Sequence, residues 1–173
     1  MKLVLQTTRE DHLIAWLTAL AITIHIAESA LPSPLPGIKP GLANVITVAV
    51  LIKYGWRTAA WVALLRVLAG SLLLGTFLSP TFILSLAGAV CSIGVLGMAA
   101  GLTRPFPGWR LGALGYSLLA ALAHMGGQFW VAYTLFIPHP GLLHLLPLLM
   151  TAAVIFGAVS GIISAAMLKR IAA

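Results

Sequence analysis

Continuous apolar runs of roughly 20 residues, about the length that crosses a bilayer as a helix, follow one another along this chain. Short breaks rich in proline, glycine and basic residues separate them. Apolar and polar side chains do not alternate within the runs, as the strands of a membrane β-barrel would require, so the pattern predicts helices. The first covers about residues 12–30 and the second about 40–52. The third, about 58–78, ends at "SPT", and the fourth, about 82–102, ends at "TRPFPGWR". The fifth, about 111–136, ends at "IPHPG", and the sixth covers about 142–168. The expected fold is an all-α membrane protein, a six-transmembrane-helix bundle formed as a single domain over residues 1–173. The first run reads as a span rather than a cleaved signal peptide, because no small-residue cleavage site follows it and Glu28 stands near its end.

The stretch "LPSPLPGIKPGLANVITVAVLIKYGWR", residues 31–57, breaks the regularity. Only residues 40–52 lie between Lys39 and Lys53, about 20 Å of helix against a hydrocarbon core of about 30 Å. Two readings follow. Either the helix tilts and Lys39 snorkels to the headgroups, or the helix starts below the outer surface and residues 31–40 dip inward as a wall over a cavity. Non-helical backbone is tolerated at that depth only where protein or water surrounds it.

Composition supports the membrane reading. The chain is 61% hydrophobic and 8% charged, with a mean hydropathy of +1.08, whereas a soluble domain carries about 25% charged residues. The net charge of +7 does not point to nucleic acid, since the basic residues stand singly between apolar runs. With a cytoplasmic N-terminus, Lys2, Arg9, Lys53, Arg57, Arg104, Arg110, Lys169 and Arg170 fall inside. Lys39 alone falls outside and Arg66 lies within a span, which is a strong positive-inside signal. Both termini are expected in the cytoplasm, and the chain is expected in the inner (cytoplasmic) membrane as a multi-pass protein. Trp16, Trp56, Trp61, Trp109 and Trp130 mostly lie near span ends, as interfacial aromatics do. Cys91 is the single cysteine, so no disulfide framework exists.

Polar residues inside the spans mark candidate chemistry. Arg66 lies near the middle of the third span, where an arginine costs roughly 2.5–3.5 kcal/mol to insert. Glu28 is the obvious partner, and His25 lies one turn before Glu28 on the same helix face. Asn44 stands in the outer part of the second span, and His124 and Gln128 form an i, i+4 pair in the outer half of the fifth. Taken singly, each has a plainer role: an interior hydrogen-bonded histidine, a structural arginine, or an amide joining helices for about 0.6 kcal/mol. Together they cluster between mid-membrane and the outer surface on four helices. That predicts a cationic, hydrogen-bonding pocket with apolar walls, suited to a small organic solute. Small residues form a second set: Ala15 and Ala19 in the first span, Gly97 and Gly101 with Gly94 in the fourth, and Ala153, Gly157, Gly161 and Ala165 in the sixth. Such residues let helices approach closely. The fourth and sixth spans read as internal packing faces, and Ala15/Ala19 as the pair that would dock another protein.

Four segments, "PGIKPGLANVITV" (36–48), "LLRVLAGSLLLG" (64–75), "SLAGAVCS" (85–92) and "AHMGGQ" (123–128), resemble the Gx transporter family. That family is widely labelled heptaprenyl diphosphate synthase component I and is similar to the substrate-binding S components of energy-coupling factor transporters. The resemblance runs from about the first span to the fifth, and its most specific part is the PGIK-x-GLAN segment. It implies a six-helix S-component fold with both termini inside and a site reached from outside. The polar positions it carries over are Lys39, Asn44, Arg66, His124 and Gln128. It also implies that Ala15 and Ala19 match the alanine pair through which S components dock a transmembrane coupling subunit, with ATPases in separate chains. Met125-Gly126 within the AHxxGQ motif and Pro40 directly after Lys39 depart from the family's usual pattern; the proline would stiffen the entry to the second span.

The synthase label can be weighed against chemistry. Prenyl elongation ionises an allylic diphosphate with magnesium ions, which need clusters of oxygen ligands. Glu10, Asp11 and Glu28 are the only acidic residues, so this chain is expected not to be an enzyme. No membrane-embedded serine–histidine–aspartate set and no Walker-type glycine loop is visible, and any ATP hydrolysis would come from other subunits. An alternative function is a membrane subunit of a flavin- or quinone-linked electron-transfer system, with His25 and His124 as axial haem ligands or the cavity holding a quinone or flavin. The family's association with FMN-binding proteins points partly that way. Two histidines on two helices lack haem-specific spacing, however, and no resident cofactor is expected. No metal site is expected either, since His139 and His144 are flanked by prolines and leucines with no carboxylate nearby.

Overall fold

The computed structural model describes residues 8–30, 43–105, 108 and 111–172, with the side chains of 28–30, 43 and 172 left aside. Every extended element among the described residues is helical. Helix α1 (Arg9–Ala30) begins three residues before the apolar run that predicted it. The cause is a reciprocal cap. The Thr8 backbone N–H donates to Asp11 Oδ2 at 2.8 Å, and the Asp11 N–H donates to Thr8 Oγ1 at 3.2 Å. This is a capping box with aspartate at the third helical position.

Helix α2 (Ala43–Tyr54) is the centre of the bundle. Residues 45–51 are buried on every side, and α1, α3, α5 and α7 pack around them. A helix apolar all round belongs in such a place, and at about 18 Å it needs no match to the bilayer. Its height is set by Ser164 of α7 (Leu146–Ala172), whose buried hydroxyl donates to the Val45 carbonyl at 3.2 Å. Ser164 lies about 27 Å along α7 from Leu146. Val45 of α2 therefore lies well short of that end of the bundle.

Gly55 alone joins α2 to α3 (Trp56–Leu73). Its φ of +90° turns the chain back at once, a conformation open to glycine at no steric cost. Helix α3 ends at Leu73, short of the expected 78, because Gly75 with φ +68° closes it. The Thr76 N–H reaches the Ser71 carbonyl at 2.9 Å and the Gly75 N–H the Leu72 carbonyl at 3.3 Å, the Schellman pattern. Ser79 then caps α4 (Pro80–Thr103), its Oγ accepting from the Phe82 N–H at 3.3 Å, with Pro80 at the first position. The expected fifth span becomes α5 (Ala113–Val131) followed by a π-helical turn (Ala132–Phe136). A short α6 (Pro140–Leu143) precedes α7, and His139 Nδ1 caps it by accepting from the Gly141 N–H at 3.0 Å.

Helix α5 lies between α4 and α7, while α3 packs on α1, α2 and α4. The small residues of α7 hold it against α5. A Cβ on Gly161 would lie 2.7 Å from Leu114 Cα, and one on Gly157 would lie 2.9 Å from Ala121 Cβ. In α4 the outcome differs from simple helix packing. The space beside Gly97 holds the indole of Trp56, whose Nε1–H donates to the Ile93 carbonyl at 2.9 Å. Gly94 and Gly101 face open space. By length and composition α3, α4 and the run Pro140–Ile171 suffice to cross a membrane, and α2 is apolar but shorter. Helices α1 and α5 carry more polar side chains, the charged first turn and His25 in one and His124 and Gln128 in the other.

Candidate functional site

Asn44 and Arg66 each stand eleven residues from Gly55, so the α2–α3 hairpin places both about 16 Å from its turn. Arg66 is buried, at 7% exposure. One turn further along α3, Gly70 leaves space that α1 uses: His25 packs there, with its Cδ2 3.6 Å from where a Cβ would sit.

The facing wall comes from α4 and α5. Gly127 brings these helices together, since a Cβ there would lie 2.6 Å from Cys91 Sγ and 3.0 Å from the Ala87 carbonyl oxygen. That approach seats His124 and Gln128 on Gly88, where a Cβ would meet His124 Cε1 and Nε2 at 2.8 Å and Gln128 Cγ at 2.9 Å. His124 bonds to the Gly88 backbone and lies within direct electrostatic reach of Arg66 and His25. Its Nδ1 is buried with no hydrogen-bond partner among the described residues. With Nε2 donating to the Gly88 carbonyl, Nδ1 is an acceptor. A buried acceptor left open is uncommon in folded proteins.

The structure thus brings together His25, Arg66, His124 and Gln128 from α1, α3 and α5, over a floor supplied by Gly88 of α4. Asn44 is half-buried at the start of α2, level with Arg66. Glu28 follows His25 by one turn on the α1 backbone, and its side chain lies outside the described residues, as do Lys39 and the whole segment 31–40. Ala15 and Ala19 stand on the exposed face of α1 beside Trp16, 77% exposed, and Leu20. Of the departures in the "AHMGGQ" segment, Gly126 faces Met150 Cε at an ordinary 3.9 Å, away from the histidine.

Sequence reasoning missed the three glycines, Gly70, Gly88 and Gly127, that make room for the imidazoles and draw α4 and α5 together. The signal was present, because each falls inside one of the family-like segments: "LLRVLAGSLLLG", "SLAGAVCS" and "AHMGGQ".

A family model described as heptaprenyl diphosphate synthase component I matches residues 17–167, from α1 into α7. No curated protein and no solved structure matches the chain.

Proposed function

The chain belongs to the heptaprenyl diphosphate synthase component I family, also named the Gx transporter family, and from that premise we propose that it is the solute-binding, S-component-like subunit of an energy-coupling factor-type transporter. It is a membrane protein, by family and by its apolar helices. In this reading α1, α2, α3, α4, α5 and α7 make six passes of the inner membrane, with both termini in the cytoplasm. Lys53, Arg57, Arg104, Lys169 and Arg170 then stand at the cytoplasmic face, in keeping with the positive-inside bias.

The observation that carries the proposal is the open acceptor on His124, buried beside Arg66 on a floor of glycine. A small organic solute that donates to His124 Nδ1 and engages Arg66 and Gln128 completes the set. Arg66 supplies charge and a planar fork of donors, His25 an adaptable donor or acceptor, and Asn44 a further amide at the same level. Lys39 and Glu28 belong to the same proposed site.

This chain binds rather than catalyses. Magnesium-assisted ionisation of a diphosphate needs clustered oxygen ligands, and the sequence holds three acidic residues in all. Inward movement of the solute falls to a transmembrane coupling subunit driven by separate ATPases. The exposed small-residue face at Ala15 and Ala19 lets a partner helix approach closely.

Native mass spectrometry of protein gently purified from its own membranes tests the reading. A small organic molecule should co-purify with the wild type and be lost from a folded Arg66→Leu variant. Retention of that solute by Arg66→Leu would remove Arg66 from the site. A haem, flavin or quinone retained instead would replace transport with electron transfer.

A further inference from the structure

A cavity of about 210 Å³ opens at the opposite end of the bundle from His124, between the end of α2, the start of α3, the end of α4 and the start of α5. Trp56 in its wall and Arg66 in the polar site are ten residues apart on α3, about 15 Å along the axis. The two sites are therefore separate.

Arg104 is the one charged side chain in the wall of this cavity among the described residues. Arg104, just past the end of α4, lines it with a side chain that ends in a guanidinium, and Tyr116 of α5, its ring packed in the core, with one that ends in a hydroxyl. Gly55 and Trp56 contribute the first turn of α3, where the N-cap offers no side-chain hydrogen bond, so the orphan N–H groups of that turn remain for a ligand. Two other polar groups in the wall are already engaged, Trp56 Nε1 with the Ile93 carbonyl and Thr103 Oγ1 with the Ala99 carbonyl at 2.8 Å. Among the described residues no carboxylate lines the cavity. An arginine with no opposing acid among those residues favours an anion.

The apolar surroundings narrow the anion further. Leu51 and Leu111 line the wall. Ile52 at 41% and Trp56 at 44% exposure leave greasy surface in the wall itself. The volume falls below the 300–1,000 Å³ or so that drug-sized ligands occupy, which leaves room for a headgroup with its chains outside. Basic pockets between helices on the cytoplasmic side bind the headgroups of anionic lipids. We propose that this cavity binds the phosphate of an anionic phospholipid, held by Arg104, Tyr116 and the first turn of α3, while its acyl chains lie on Ile52 and Trp56. The same chemistry would accept a soluble phosphate, and the two sources separate by experiment.

The test is lipid titration of the purified full chain followed by native mass spectrometry, with phosphatidylglycerol, phosphatidylcholine and inorganic phosphate as probes. Wild type should retain phosphatidylglycerol in preference to phosphatidylcholine. Arg104→Gln should lower that preference roughly fivefold, and Tyr116→Phe should lower it less. Lys53→Gln and Arg57→Gln, at the same end but outside the cavity wall, should leave it unchanged. Equal losses from all four variants would reduce the effect to diffuse surface charge and overturn the site. A thermal shift of the wild type needs no variant. Stabilisation by phosphatidylglycerol but not by millimolar phosphate supports the lipid. Equal stabilisation by phosphate alone overturns the lipid as the source, and no preference for either anion over phosphatidylcholine overturns the site.

Discussion

Replacing Gly88 with alanine is the most direct probe of the candidate site, because it acts on the histidine without touching its side chain. The new Cβ would stand 2.8 Å from His124 Cε1 and Nε2 and 2.9 Å from Gln128 Cγ, where ordinary contact begins near 3.4 Å. The imidazole must retreat by about 0.6 Å or the two helices must part, and overpacking of this kind costs about 1–3 kcal/mol. Alanine returns about 0.8–1.0 kcal/mol of helix propensity, so the net loss should be about 1 kcal/mol and no more than about 2 kcal/mol. Equilibrium unfolding in detergent, followed by the fluorescence of the five tryptophans, measures it. A double-mutant cycle isolates the cause. In a His124→Ala background the ring contact is gone and only Gln128 Cγ remains close, so Gly88→Ala should cost about 1 kcal/mol less there. Solute binding should weaken in Gly88→Ala even where the fold survives, because the retreating ring carries Nδ1 with it. If the two backgrounds respond alike within about 0.3 kcal/mol, His124 does not rest on Gly88, and the assignment of its open acceptor fails with it.

The remaining expectations are simpler. Gly161→Ala should destabilise the fold by about 1–3 kcal/mol, since its Cβ meets the Leu114 backbone. Gly101→Ala, with open space around it, should be neutral or stabilising by up to about 1 kcal/mol, and similar melting curves for the two variants would contradict the α5–α7 packing. Replacing Ala15 and Ala19 with leucine should abolish co-purification of the coupling subunit while leaving solute binding intact, and a normal complex would dismiss that face. The Thr8 backbone N–H, followed by its hydroxyl, holds the Asp11 carboxyl below its usual range. A carboxyl with a depressed folded pKa stabilises the start of α1 above its unfolded value, 3.8, and the contribution vanishes as pH falls through the lower folded value. Protection factors of the amides at residues 9–12, which remove the intrinsic pH dependence of exchange, should fall in that acid window in wild type and fall less in Asp11→Asn.

The helices were legible because membrane composition leaves few alternatives, and their ends were less so because local devices set them. Thr8 and Asp11 start α1 before the apolar run begins, and Gly75 ends α3 while leucines still follow. The candidate site was legible in its polar members for an energetic reason. An arginine or histidine amid apolar residues is costly in a bilayer, so its place is seldom accidental. Arg66, His25 and His124 stand near one another in the structure. The glycines beneath them were not legible, because glycine is frequent in membrane helices and only packing reveals which face it serves. Periodicity was also silent on α2, as a short apolar run looks the same buried in protein or facing lipid. Residues 45–51 turned out to be enclosed by four neighbouring helices.

The single-residue link at Gly55 bears on how the protein is made. Residues 43–54 of α2 fall short of the roughly 20 apolar residues that a lone span needs. Tied to α3 by one residue, α2 enters only as half of a helical hairpin. Asn44 and Arg66 then travel into the membrane side by side, each screened from lipid by the other's helix before the rest of the bundle arrives. Lengthening that link with a few flexible residues would leave the finished packing room to form, yet it would separate the two polar groups at the moment of insertion. In a membrane insertion of that kind the glycine would serve biogenesis as well as geometry, by setting the order in which the costly residues are sheltered.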